Sequence, residues 1–86
     1  MKKISFYENK NIIFKQLKLA RINCNLSQGA LAAKMQTMNV NMDQQMVSKI
    51  ENNARIVTDY ELACFCKILN ISEKELLRDF YESYNQ

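Results

Sequence analysis

Across 86 residues the chain has no proline and a single glycine, Gly29. β-Hairpins favour tight primed turns whose central residues sit at positive φ, and glycine is the residue that enters that region most freely. With almost nothing to build such turns, the chain is predicted to be all-α. The length allows one domain, since independent domains run to about 100 residues and smaller ones are already marginal. An apolar content of 48% beside 24% charged residues can bury a core and is too high for a disordered chain.

The three cysteines, Cys24, Cys64 and Cys66, are odd in number, and there is no histidine to share a metal with them. No secretory signal is read at the N-terminus, so a soluble, cytoplasmic, reduced setting is expected, with no metal and no cofactor. Every apolar run is interrupted well short of the roughly 20 residues that a membrane span needs. Without histidine, a Gly-rich phosphate loop or an evident pair of carboxylates, the chain is not read as an enzyme. The net charge of +3 is unevenly divided. Residues 1–57 hold nine Lys and Arg against Glu8, Asp43 and Glu51, whereas residues 58–86 hold three against six acids. A basic front half suits a phosphate-facing surface, although solvated lysines on any helix give a similar balance.

Helical spacing of Ile13, Leu17 and Ala20 predicts a first helix over 11–23, with Lys15, Lys18 and Arg21 between the apolar positions. Ser27 offers an N-cap to a second helix reaching Gln36, with Leu31 and Met35 facing inward. Asp43 can cap a third over 44–52, whose inner residues are Val47 and Ile50, and Asn52, Asn53 and Ala54 end it. Two capping boxes, Thr58-Asp59-Tyr60-Glu61 and Ser72-Glu73-Lys74-Glu75, mark the fourth and fifth helices. The fourth carries Leu62, Phe65, Cys66 and Leu69 inward, and the fifth carries Leu76, Leu77 and, if it runs that far, Phe80. Met35, Met38, Met42 and Met46 read as packing residues, and the cysteines as inert.

Leu26-Ser27-Gln28, Leu31-Ala32 and Lys34-Met35, followed by Val47-Ser48-Lys49-Ile50-Glu51-Asn52, resemble the phage-repressor-like helix-turn-helix family, the Xre or Cro/C1 type. The similarity continues through Thr58-Asp59-Tyr60-Glu61-Leu62, Leu69-Asn70-Ile71-Ser72 and Glu75-Leu76-Leu77, so that it spans about 11–77. Residues 1–10 are then an N-terminal extension and 78–86 a C-terminal helical extension. The resemblance implies a λ-repressor-like bundle of five helices, with room for a sixth short one, that binds double-stranded DNA as a transcription regulator, most simply a repressor. One departure stands out, because 36–42 is about five residues longer than the short turn usual between the second and third helices. Either the second helix runs on or the connection bulges outward.

By the same resemblance the third helix enters the major groove, with Gln44 and Gln45 at its tip. A glutamine amide presents a donor beside an acceptor, which matches adenine N6 and N7. Ser48 and Lys49 follow one turn later on the same side. Gln28 sits where free backbone amides open the second helix and is implied to contact phosphate, while Ser27 serves as its cap. Asn52, Asn53 and Arg55 are placed like a backbone-contacting loop, though Asn53 also fits a C-cap alone. Arg21 and Glu51 are implied to form a structural ion pair. A homodimer is expected, with Phe80, Tyr81 and Tyr84 as candidate contacts. The alternative function is a protein-interaction module, an antitoxin whose acidic end neutralises a toxin while the basic part binds the operator; an anti-repressor is a further protein partner of this kind.

Overall fold

The computed structural model describes residues 6–83 and is all-helical, with six helices in order: α1 (Phe14–Asn23), α2 (Gln28–Thr37), α3 (Gln44–Glu51), α4 (Asp59–Leu69), α5 (Glu73–Leu76) and α6 (Arg78–Ser83). Four of them start alike. A side-chain oxygen of Ser27, Asp43, Thr58 or Ser72 accepts the backbone N–H of Ala30, Met46, Glu61 or Glu75, three residues on. Each cap satisfies a donor that the first turn of a helix leaves without an intrahelical partner.

The helix ends are as uniform as the starts. Asn25, Asn39, Asn53 and Asn70 stand at φ of 58°, 64°, 59° and 55°, just past α1, α2, α3 and α4. In each case the following N–H reaches back to close the last turn, from Leu26 to Arg21 O, Val40 to Met35 O, Ala54 to Lys49 O and Ile71 to Cys66 O. This closure requires a left-handed residue, and asparagine is the non-glycine residue that takes that conformation most readily. The lone glycine takes no part, since Gly29 lies inside the first turn of α2.

Fully buried Leu17, Leu31, Met35, Met42, Val47, Ile50, Phe65 and Leu76 form the centre of the core. α2 packs most extensively on α3, and α1 and α4 close the other sides. The long connection between α2 and α3 resolves in an unexpected way. α2 ends at Thr37, close to the expected end, and the connection turns inward: Val40 and Met42 are buried and Gln36 Nε2 donates to Met42 O at 2.6 Å. Burying two such side chains is worth about 1.5–3 kcal/mol each, which offsets part of the entropy lost in ordering the extra residues against the core.

Several sequence expectations need correction. α1 starts at Phe14 rather than Asn11, because the Asn11 side chain turns inward, its Oδ1 accepting Ile13 N–H at 3.0 Å and holding the backbone before the first turn. A primed-type turn does occur: Tyr7 and Glu8 both have positive φ, at 49° and 68°, between Phe6 and Asn9, which exchange two backbone bonds of 2.8 Å. The second capping box is only half made, since Glu75 pairs with Arg78 while Ser72 alone caps. The expected fifth helix is broken at Leu77, so that Phe80 belongs to α6.

Candidate nucleic-acid interface

α3 is short, and its apolar side is committed to the core through Val47 and Ile50. Its other side leaves Gln44, Gln45 and Lys49 exposed and Ser48 partly so, with Asn52 exposed just past the last turn. Asn52 Nδ2 lies 3.4 Å from Ser48 Oγ, which links the two along the helix surface. Ser27 and Gln28 open α2 alongside. Ser27 Oγ is occupied by Ala30 N–H, leaving the backbone amides of Gln28 and Gly29 without an intrahelical partner. Amides so placed, at the positive end of a helix dipole, suit an anion.

A continuous hydrogen-bonded relay connects the tip of α3 to the core. Gln44 Nε2 donates to Gln28 Oε1 at 2.8 Å, and Gln28 Nε2 donates to Glu51 Oε1 at 3.0 Å. Glu51 in turn accepts from Arg21, at 2.6 Å from Nε and 3.0 Å from Nη2, and Arg21 Nη1 donates to Leu26 O at 2.8 Å. Both members of this ion pair are buried, and the Glu51 bond raises the Arg21 pKa despite an opposing contribution from burial. One relay thus joins α1, α2 and α3. It uses one of the two Nε2 hydrogens of Gln44 and leaves its Oε1 unbonded among the described residues, so a donor and an acceptor are still available to a base edge.

Asn53 and Arg55 are engaged elsewhere. Asn53 Oδ1 accepts from the backbone N–H of Lys10 at 2.8 Å and of Asn11 at 3.3 Å, and its Nδ2 donates to Asn9 Oδ1 at 2.7 Å. Arg55 forms a two-pronged pair with Glu61, at 3.1 and 3.0 Å, and Nη1 also donates to Ile56 O. Burial would raise the Glu61 pKa, but the bonds from Arg55 and from Thr58 N–H outweigh it and the carboxyl is held below its usual range.

Sequence reasoning missed two residues here. Asn11 is buried, and its Nδ2 donates to both Ile50 O and Arg55 O at 2.9 Å, clasping the end of α3 and the loop after it. Glu61 is legible as the N3 member of a capping box, yet its burial against an arginine six residues upstream follows no helical spacing. The candidate dimer residues differ in placement. Phe80 is partly buried with its ring 6.0 Å from that of Phe6, Tyr81 is exposed, and Tyr84 lies outside the described residues.

No cluster of His, Cys, Asp and Glu among the described residues could hold a metal, and no helix there is long and apolar enough to cross a membrane. Burial pushes the Cys66 thiol up to about 11, and Cys24, in the turn that follows α1, directs its Sγ to Leu69 O at 3.6 Å. Comparison with curated proteins gives no match. A helix-turn-helix family model matches residues 17–76, from α1 to the end of α5. The chain therefore belongs to the helix-turn-helix family of the Xre or Cro/C1 type and is a DNA-binding regulator of transcription.

Proposed function

We propose that the chain is a repressor that binds its operator as a homodimer, with α3 in the major groove and Gln44 and Gln45 reading base edges. The observation that carries this is the relay behind Gln44, which orients the amide from Gln28 while leaving a donor and an acceptor free. A pre-oriented side chain loses less rotamer freedom on binding. Ser48, Lys49 and Asn52 lie one and two turns further along the same surface, and Ser27 and Gln28 offer backbone amides to a phosphate. Asn53 and Arg55 act in support, since their polar atoms already hold protein partners.

Gln44→Ala and Gln45→Ala should each lose about 1–3 kcal/mol of discrimination at one or two base pairs while leaving non-specific affinity and melting temperature nearly unchanged. Selection from random duplexes supplies the operator, and competition with single-base-pair variants measures the loss. Base preference identical to the parent in both mutants would refute the assignment of the helix tip.

Dimerisation follows because one such domain spans a half-site, and a second copy about 34–36 Å along the duplex adds the remaining affinity. Light scattering with and without operator should report a dimer on a two-fold repeated site. A monomer in both conditions, on a single unrepeated half-site, would overturn the dimer. Of the candidate contacts Phe80, Tyr81 and Tyr84, Tyr81 is the exposed one among the described residues.

A further inference from the structure

The segment before α1 is fastened at both ends. At one end Phe6 packs near Phe80 of α6, with ring centroids 6.0 Å apart, after the turn at Tyr7 and Glu8 has reversed the chain. At the other, Asn53 receives the backbone N–H groups of Lys10 and Asn11, and Asn11 donates to Ile50 O and Arg55 O. Lys10 is thus pinned directly beside the C-terminal end of α3, two residues past its last turn. Its side chain is exposed and makes no ion pair with any described residue.

A helix that enters the major groove by its N-terminal end brings its C-terminal end and following loop up to the phosphate backbone. The Lys10 main chain, held beside that end, leaves its ammonium within a side chain's reach of a phosphate passing there. Most polar atoms of the Asn53 side chain are already consumed in holding the segment, which fits a residue acting through Lys10 better than one touching DNA itself.

We propose that residues 6–11 are a fixed extension of the DNA-binding face, in which Lys10 meets a backbone phosphate and Asn53 is the positioning residue that keeps it there. This rests on α3 lying in the groove. The probe is a mixed-sequence DNA duplex, with affinity measured across a salt series for the unaltered chain, Lys10→Ala, Lys10→Arg, Asn53→Gly and the double variant Lys10→Ala with Asn53→Gly. Glycine is chosen at position 53 because it keeps the left-handed backbone without strain.

Lys10→Ala should reduce the slope of log K against log salt by about 0.9, the contribution of one neutralised phosphate, and Lys10→Arg should restore it. Asn53→Gly should weaken binding by a similar factor, and the double variant should be no weaker than either single one. An unchanged slope in Lys10→Ala, with the parent binding normally, would overturn the phosphate contact. A loss from Asn53→Gly that is as large in the Lys10→Ala background as in the parent would overturn the positioning role and assign Asn53 a contact of its own. If the parent bound no duplex at all, the placement of α3 in the groove would fail, and this proposal with it.

Discussion

Glu51→Ala should lower the unfolding free energy by about 3–5 kcal/mol, the loss seen when one partner of a buried ion pair is removed and the other charge is left behind. The Arg21 and Glu51 side chains are only 10% and 3% exposed, so the stranded guanidinium has little water to turn to. Gln28 loses the acceptor of its Nε2 in the same step, and with it the fixed orientation that supports Gln44. Set against total stabilities of about 5–15 kcal/mol, the loss is a large share, and each kcal/mol moves the melting temperature of a domain this size by about 4–8 °C. Guanidinium titration monitored by circular dichroism measures it. A change below about 1 kcal/mol would mean that the pair is no more than a surface bridge.

Arg55→Ala should be comparably damaging at neutral pH and almost harmless in acid. Glu61 is buried, and the substitution removes the two guanidinium bonds that keep it charged while leaving Thr58 N–H. In the parent the folded pKa lies below its usual value, so the contribution of Glu61 to stability is complete above the unfolded pKa and is lost as pH falls through the folded one. Without Arg55 the raising effect of burial is left in command, and the variant gains relative stability as the carboxyl takes up a proton. The difference between parent and variant should therefore be greatest near pH 7 and shrink on acidification through the carboxylate range. Denaturation curves at a series of pH values test this, and a pH-independent difference would contradict it. Because Arg55→Ala also alters folding, its DNA affinity is interpretable only where the variant is fully folded.

Much of the frame was legible because it rests on local rules. Ser27, Asp43, Thr58 and Ser72 stand three residues before the amides they cap, and the apolar spacing of Leu31, Met35, Val47 and Ile50 is helical. The family match over 17–76 agrees with motifs visible in the residues themselves. What escaped was non-local. The reach of Asn11 to Ile50 and Arg55 crosses about forty residues of sequence, and no spacing rule announces it. The connection after α2 carries Met38, Val40 and Met42 at alternate positions in an uncharged stretch, a pattern consistent with one side facing a core, whereas its length left open a longer helix or an outward bulge. In the candidate interface, the residue types at Gln28, Gln44 and Glu51 are motif features, whereas the order in which they bond depends on how α2 crosses α3. The turn at Tyr7 and Glu8 escaped because composition excludes only what is cheap, and two side-chain-bearing residues can be held at positive φ when both ends of the segment are anchored.

Closing four helices with asparagine rather than glycine has its effect in the unfolded chain. A glycine at such a position gives the disordered polypeptide extra backbone freedom, and a residue with a Cβ withholds about 0.4–1 kcal/mol of that entropy wherever the folded conformation tolerates it. Asn25, Asn39, Asn53 and Asn70 each bear a Cβ and each occupy a conformation that their residue type accepts more easily than most. The ends of α2 and α3, which fix how the two helices of the DNA-binding motif cross, are thus favoured partly by the narrowness of the alternatives. That share of their stability appears in no contact of the native protein.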